Sequence, residues 1–504
     1  MEKFYFPVLI IITLSITHSI ITTIKRGNYH LNYYYHSRVQ TYVLNTSGSL
    51  YKTNKLFLSF SIDSHQIRHG LSKPSLSNSE LIRLTSYLSP GYLRIGGTDA
   101  DRLVFKQNNS VSRSRPNSNL QDTFNMSDKK WTEIYRFAEL SGFRVLFDLN
   151  VLLRNGSRWD SSNAKSLLDF SASKGYKVDW QLGNEPNAFQ HNFNETVSPF
   201  QLAKDFITLR NLLNSYPKYQ KALVVGPDVT SPHSSLQEVT MPAEKFLHKF
   251  MKSGSVSQPV DAVAWHHYYL HRNASLSDVL SPGVFDTLKE AIDLIKEAVK
   301  SWRLLWITES GSVCGGGVPG LSNRFASSFL LLDKLGLAAR EGVALVVRQS
   351  LYAGHYALID RTTLRPNPDW WVSYVYKKLV APTVLSIEAK GEVRETLRLY
   401  AHCSHNGSVV MFGVNLSNAP EQLMVETSSE SAAATVQLFQ LTAPDLLSQE
   451  VILNGIPLRL PSDSPPSLQS VTVDIFQPIK IAGHSIFFLH LGYLQPYVCQ
   501  IEDS

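Results

Sequence analysis

Cysteine is scarce in this chain, with only Cys314, Cys403 and Cys499 among 504 residues. Three cannot all pair within one chain, so a small disulfide-stapled scaffold is excluded. Cys403 and Cys499 both lie in the C-terminal part and are able to close one bridge, which leaves Cys314 free. Neither Cys-x-x-Cys nor His-Glu-x-x-His occurs, so the usual zinc spacings are missing and no metal or cofactor is expected. The glycine run Gly315–Gly317 is not followed by the lysine of a phosphate loop. Charge is also modest. Charged residues make up 18% and the net charge is +6, with a pI near 8.9. That balance favours acidic partners only weakly, and no nucleic-acid partner is expected.

Long apolar runs are nearly absent. Phe4 to Ile24 carries no formal charge, and Val8 to Leu14 is strongly apolar. It reads as a signal peptide, residues 1–19, cleaved after Ser19, or as an uncleaved anchor reaching about residue 24. Thr13, Ser15, Thr17 and His18 favour cleavage. No later stretch is long and apolar enough to span a bilayer, so no stable membrane span is expected after signal removal. Eight Asn-x-Ser/Thr tripeptides, at Asn45, Asn108, Asn125, Asn155, Asn194, Asn273, Asn406 and Asn415, agree with a secretory route to an extracellular or lysosomal site.

What is present is a repeat of apolar run and helical segment. Eight runs fall at Leu56–Asp63, Gly91–Gly97, Phe143–Asn150, Asp179–Glu185, Lys221–Asp228, Val260–Tyr268, Leu304–Ser310 and Gly342–Ser350. Helical periodicity fills intervals such as Asn163–Ser173, Pro199–Leu213, Val284–Ser301 and Asn323–Arg340. Strand and helix alternating eight times predict an α/β fold, a (β/α)8 TIM barrel over residues 51–380. An open doubly wound sheet has similar local patterns. The polar residues separate the two, because nearly every run ends in one: Asp63, Thr98, Asn150, Asn184-Glu185, Asp228, His266, Glu309 and Gln349. Barrel chemistry collects at the C-terminal strand ends. After Lys378 the pattern becomes short and alternating, as in Leu397–His402, Ser408–Asn415, Ala434–Leu438 and Ser485–Leu491. Residues 381–504 therefore read as an appended β-sandwich, to which residues 20–50 add strands. Gln107 to Lys130 is polar and reads as a loop.

Gln181-Leu182-Gly183-Asn184-Glu185-Pro186 ends the fourth run. Proline stops the ladder there, and the strand end presents an amide and a carboxyl to the barrel mouth. Glycoside hydrolysis needs one carboxylic acid beside the leaving oxygen, and Glu185 suits that role; a helix-capping or surface-turn glutamate is the bland alternative. Glu309 ends the buried seventh run, where a lone carboxyl is costly unless paired or used. Strands four and seven face each other across a closed barrel, so the two carboxyls form a pair of general acid/base and nucleophile. His266 and Tyr268 share a strand face, read as inward, where a ring and an imidazole stack on sugar and hydrogen-bond the nucleophile. A packed core pair is the alternative. Cys314 as a thiol nucleophile has little support from one cysteine in a glycine-rich loop.

These stretches, with Tyr92-Leu93-Arg94-Ile95-Gly96-Gly97-Thr98, Gly226-Pro227-Asp228-Val229, Trp265-His266-His267-Tyr268-Tyr269-Leu270, Leu332-Asp333-Lys334-Leu335-Gly336-Leu337 and Arg348-Gln349, make the chain resemble the heparanase-type endo-β-glucuronidases of glycoside hydrolase family 79. The resemblance runs through most of the mature chain. It implies a barrel with a flanking β-sandwich, and a retaining double displacement at β-linked glucuronate with Glu185 as proton donor and Glu309 as nucleophile. It implies that Asp63, Thr98, Asn184, His266, Tyr268, Gln349, Gly354 and Tyr356 line the sugar site. Gly315 and Gly316 match a pair whose N–H groups suit the uronate carboxylate, and Cys403 and Cys499 fall where the family has a disulfide.

Four departures stand out. Lys106 to Trp131 is too short for the excised linker of the vertebrate enzymes, so a single unprocessed chain is expected. Cys314 replaces the family's tyrosine before the glycine pair. Val229 to Ala243 holds no Lys or Arg where the vertebrate loop is basic. Arg272 sits one position from the family's arginine. The expected substrate is an acidic polysaccharide, heparan sulfate or a related glucuronan, cleaved internally. An exo-acting β-glucuronidase and a catalytically silent glycan-binding protein are the competing readings.

Overall fold

The computed structural model describes residues 20–26, 29–35, 39–71, 73–107, 122–234, 237–253, 260–300, 304–427, 435–462 and 464–500. The signal segment and Asn108 lie outside them. The eight predicted runs form one parallel sheet. Its strands are β1 (Leu58–Asp63), β2 (Gly91–Gly96), β3 (Phe143–Leu149), β4 (Val178–Leu182), β5 (Val225–Val229), β6 (Ala262–Leu270), β7 (Leu304–Val313) and β8 (Val343–Arg348). Around the sheet the order is β4-β3-β2-β1-β8-β7-β6-β5. A parallel bridge between Trp180 and Val224 brings β4 to β5 and closes the ring. Such strands are covered on both faces, which is why they read as continuous apolar runs.

Helices pack outside. Pro199–Asn214 starts where Ser198 accepts from the Gln201 N–H and Pro199 takes the first turn. Pro282–Val299 starts two residues before the predicted Val284, again with proline in the first turn. Of the polar stretch read as a loop from Gln107 to Lys130, residues 108–121 lie outside the described residues, and the end that is described is not loop. Phe124–Ser127 pairs as a strand with Leu103–Lys106, and a helix runs from Asp128, capped by the Ser127 side chain.

A second sheet gathers the C-terminal strands, among them Val380–Lys390, Leu397–Ser404, Val409–Asn415 and Ser485–Leu491. Val39–Asn45 lies inside it, between Val380–Lys390 and Glu421–Thr427. Among the described residues Ile20–Arg26 and Tyr29–Tyr35 pair with each other and with no further strand. The sheet docks on the barrel through helix Phe325–Arg340, whose residues are buried all round except Arg340. Asp333 accepts from Tyr400 Oη at 2.6 Å and Arg398 Nε at 2.7 Å. On the other side Lys334 Nζ donates to the His267 carbonyl at 2.9 Å. Gly336 lets the Tyr400 ring approach so closely that a Cβ there would stand 2.1 Å from it. The Leu-Asp-Lys-Leu-Gly-Leu motif is thus the seam between barrel and sandwich.

Cys403 and Cys499 form a disulfide and Cys314 is free. Asn45, Asn125, Asn155, Asn194, Asn273 and Asn406 are exposed. Asn415 differs from these. It is fully buried, and its amide donates to the carbonyls of Ala419 and Ala482 at 3.0 and 2.9 Å, so it has no room for a glycan.

Candidate active site

Inward side chains of the barrel strands stack in layers. In the lowest, Tyr92 Oη donates to Asp179 Oδ2 at 2.8 Å and the Tyr92 and Trp306 ring centroids lie 5.3 Å apart. Two residues further along the same strands come Arg94, Gln181 and Thr308. Arg94 is fully buried. Its Nε donates to Gln181 Oε1 at 2.8 Å, and Nη2 to Asn184 Oδ1 at 2.8 Å and Asp228 Oδ2 at 2.7 Å. Its Nη1 reaches Glu309 Oε2 at 2.9 Å. Gln181 and the Thr308 hydroxyl both donate to Asp228 Oδ1. Burial would raise the Asp228 carboxyl, but Arg94 and His266 overcome it and hold Asp228 well below the usual range. Asp148, 3.8 Å from Arg94, goes the other way: burial, then the charges of Asp101 and Asp228, push it far up.

The uppermost layer holds Glu185, His266, Tyr268 and Glu309. Strict alternation would turn Glu309 outward with Ile307, since Thr308 points in. The ladder slips instead, pairing Trp265 with Ile307 but His266 with Glu309. This bulge aims two consecutive side chains at the barrel axis. A second bulge lies at Asp228. Asp228 and Glu185 both take left-handed backbone, with φ of 60° and 55°, a conformation that costs about 1–3 kcal/mol per non-glycine residue and clusters at functional sites. The Glu185 N–H is tied to the Asp228 carbonyl at 2.9 Å. Next to it, the Asn184 N–H donates to Asp101 at 2.8 Å.

The two glutamates keep different company. Glu309 accepts from Arg94 and, at 2.8 Å, from the Tyr268 hydroxyl. Glu185 Oε1 lies 2.9 Å from His266 Nδ1, and His266 Nε2 lies 3.2 Å from Asp228. Burial opposes a charged imidazole, yet the charges of Asp228 and Glu309 and the contacts to Asp228 and Glu185 lift His266 to about 10. His266 and Tyr268 do share an inward face. The Tyr268 hydroxyl serves Glu309, whereas the imidazole serves Glu185 rather than the nucleophile expected from the sequence.

Both carboxyls open into one cleft of about 1030 Å3. Asp63, Thr98, His266, Tyr268, Arg272, Gly315, Gly316, Gln349, Gly354 and Tyr356 line it. Asn184 does not. It is 2% exposed and turned to Arg94. Gln349 Nε2 donates to Asp63 Oδ2 at 2.8 Å. Burial, then the Glu309 charge, raises the Asp63 carboxyl to about 6. Gly315 and Gly316 both have positive φ. Among the described residues no backbone acceptor takes either N–H, an arrangement suited to an anion. A Cβ on Gly315 would meet the Arg272 guanidinium at 2.4 Å, so glycine is what lets that cation lie beside the pair. Cys314 Sγ is 3.5 Å from His271 Nδ1, but burial, then Glu238, push its thiol up, away from nucleophilic thiolate.

Sequence reasoning gave no role to Arg94, Gln181, Thr308, Asp101 or Asp148. The one signal was an arginine inside an otherwise apolar strand, which has to be paired.

Residues 68–336 match Glycosyl hydrolase family 79, N-terminal domain. The chain is similar to Heparanase of Gallus gallus, 37% identical over 460 residues that cover 81% of this chain and 86% of the relative. It is similar to Hyaluronoglucuronidase of Hirudo nipponia, 32% identical over 438 residues, 78% and 86% of the two chains. Among solved structures it resembles a 4-O-alpha-L-rhamnosyl-beta-D-glucuronidase from Fusarium oxysporum. The TM-score there is 0.66 and the identity 15%, over 90% of this chain and 100% of the other, which speaks for the shared barrel fold.

Proposed function

The chain belongs to glycosyl hydrolase family 79, and from that we propose a retaining endo-β-glucuronidase that hydrolyses glucuronate linkages in heparan sulfate or a related acidic glycan. The observation that carries this reading is the unlike pair of carboxyls in one cleft. Glu309 is held by a buried guanidinium and a phenol, as a fixed nucleophile should be. Glu185 is the more open of the two, with 24% of its side chain exposed against 13%, and it keeps Oε2 for the leaving oxygen.

Glu309 attacks the anomeric carbon while Glu185 gives its proton to the departing glycosidic oxygen. A covalent glycosyl ester forms on Glu309. Water then attacks that carbon, Glu185 takes the water's proton, and the ester bond breaks with net retention. Arg94 and Tyr268 are positioning residues that hold the Glu309 oxygens. The N–H groups of Gly315 and Gly316, with Arg272, receive the uronate carboxylate. Asp63, Thr98 and Gln349 bind sugar hydroxyls. A cleft of about 1030 Å3 is large for one sugar ring, which supports internal cleavage. The signal segment, the exposed sequons and the disulfide support a secretory protein, and the short segment from Lys106 to Trp131 supports one unprocessed chain.

Digestion of size-defined heparan sulfate beside a small aryl glucuronide tests the reading. Shortened internal fragments are expected, and Glu309→Gln should lower turnover by roughly three orders of magnitude or more without unfolding. Release of terminal glucuronate alone would make the enzyme exo-acting. Cleavage that survives the substitution would remove Glu309 from its role.

A further inference from the structure

The loop after β5 that borders the cleft, 229–243, supplies Thr230, Ser231, His233, Ser234 and Glu238 to its wall and no lysine or arginine. Across the ring the charge is different. In the closed ring β1 lies opposite β5, with β8 beside β1, and the loops that follow β1 and β8 border a second cavity of about 290 Å3. Its walls are His65, Gln66, His69, Leu71, Lys73 and Arg361. His65 and Gln66 also line the main cleft, so the two spaces adjoin.

From this geometry we infer that the side cavity is an anion-binding subsite, taking a sulfo or carboxylate group of the glycan where the chain leaves the main cleft. The inference rests on the glucuronidase reading. None of the residues that line the cavity is acidic. The acids behind it are already engaged. Asp99 faces His65 at 3.0 Å, Arg68 at 3.3 Å and Arg102 at 3.1 Å, and Asp122 pairs with Arg68 at 2.5 Å. Asp360 accepts from the Thr362 and Thr363 N–H groups at 3.0 and 2.7 Å, which fixes the turn that carries Arg361. Lys73 and Arg361 are exposed and, among the described residues, form no ion pair. Two cations of neighbouring loops around one concavity make a site for a multidentate oxyanion, with arginine providing the fork and lysine the point charge. The wall sets its two imidazoles against each other at a tilt, with ring centroids 4.2 Å apart, and His65 is held toward Asp99.

Exposed charge contacts are each modest and screened by salt, so two of them lost together should weaken binding about tenfold at low ionic strength. The test uses the Glu309→Gln chain, with and without Lys73→Glu plus Arg361→Glu, titrated with three probes. These are a sulfated heparan oligosaccharide, an unsulfated oligosaccharide of the same length built from glucuronate and N-acetylglucosamine, and a short glucuronide that ends within the main cleft. The reversal should weaken the long probes and flatten their salt dependence, and leave the short one unchanged. Loss on the sulfated probe alone identifies a sulfo group, and equal loss on both identifies the uronate carboxylate. The alanine pair should give a smaller loss in the same order, with the melting temperature checking the fold of each variant. Unchanged binding of both long probes, or equal loss on the short one, overturns the subsite. A parent chain that binds none of the three contradicts the glucuronidase reading itself.

Discussion

Asp63 stands where β1 opens into the cleft, and its surroundings set a pH window. Burial and the Glu309 charge raise its carboxyl to about 6. It ionises more readily in the unfolded chain than in the folded one. Its contribution to stability is therefore fully present below the ordinary carboxylate range and is lost as pH rises through about 6. Asp63→Asn should raise the melting temperature progressively between pH 4 and pH 7. It should also weaken substrate binding most above pH 6, where the carboxylate accepts from sugar hydroxyls. Melting curves and KM measured across that range check both signs; an equal thermal gain at pH 4 and 7 would assign the effect to packing. At this scale the sequence was partly legible. Glu185 and Glu309 stood out because a carboxyl that ends an apolar strand is costly unless it is paired or used. The Arg94–Asp228–Thr308 lattice beneath them was not, because its members come from β2, β5 and β7 and meet only when the ring closes.

Elements carry the next layer of the account. Strand existence was readable, because runs buried on both faces are continuous in apolar residues. The bulges at Asp228 and Thr308 were not, since an extra residue in a ladder leaves no mark on an apolar run. Yet the second of these puts Thr308 and Glu309 on the same side. Helix Phe325–Arg340 makes a sharper case, because a helix buried all round has no amphipathic stripe to orient it. Its Gly336 faces Tyr400 of the second sheet. An alanine in a helix is ordinarily favoured over glycine by up to about 1 kcal/mol. At this position the added methyl collides with the ring, and overpacking costs about 1–3 kcal/mol. Gly336→Ala should therefore destabilise the protein in urea unfolding while the folded fraction keeps its turnover. A gain in stability would mean that the barrel and sandwich do not meet at this seam.

The whole molecule joins a closed barrel to a sandwich through that helix and keeps its reactive groups at one end of the ring. Closure by the β4–β5 bridge brings Glu185 beside Asp228, and β7, three strands from β4 around the ring, sets Glu309 on the facing part of the wall. The barrel and the later change to short alternating strands were legible in the spacing of apolar runs. The pairing of Ile20–Arg26 with Tyr29–Tyr35 rather than with the large sheet was not, because alternation alone does not name a strand's partner. The central claim is that Glu309 forms the covalent bond to glucuronate. The most direct measurement is peptide mass analysis after incubation with an activated 2-deoxy-2-fluoro-β-glucuronide, which slows the second displacement. The account expects the glucuronyl ester on Glu309 and no label on the Glu309→Gln chain. An ester on Glu185, or turnover without label that releases product of inverted anomeric configuration, would contradict it.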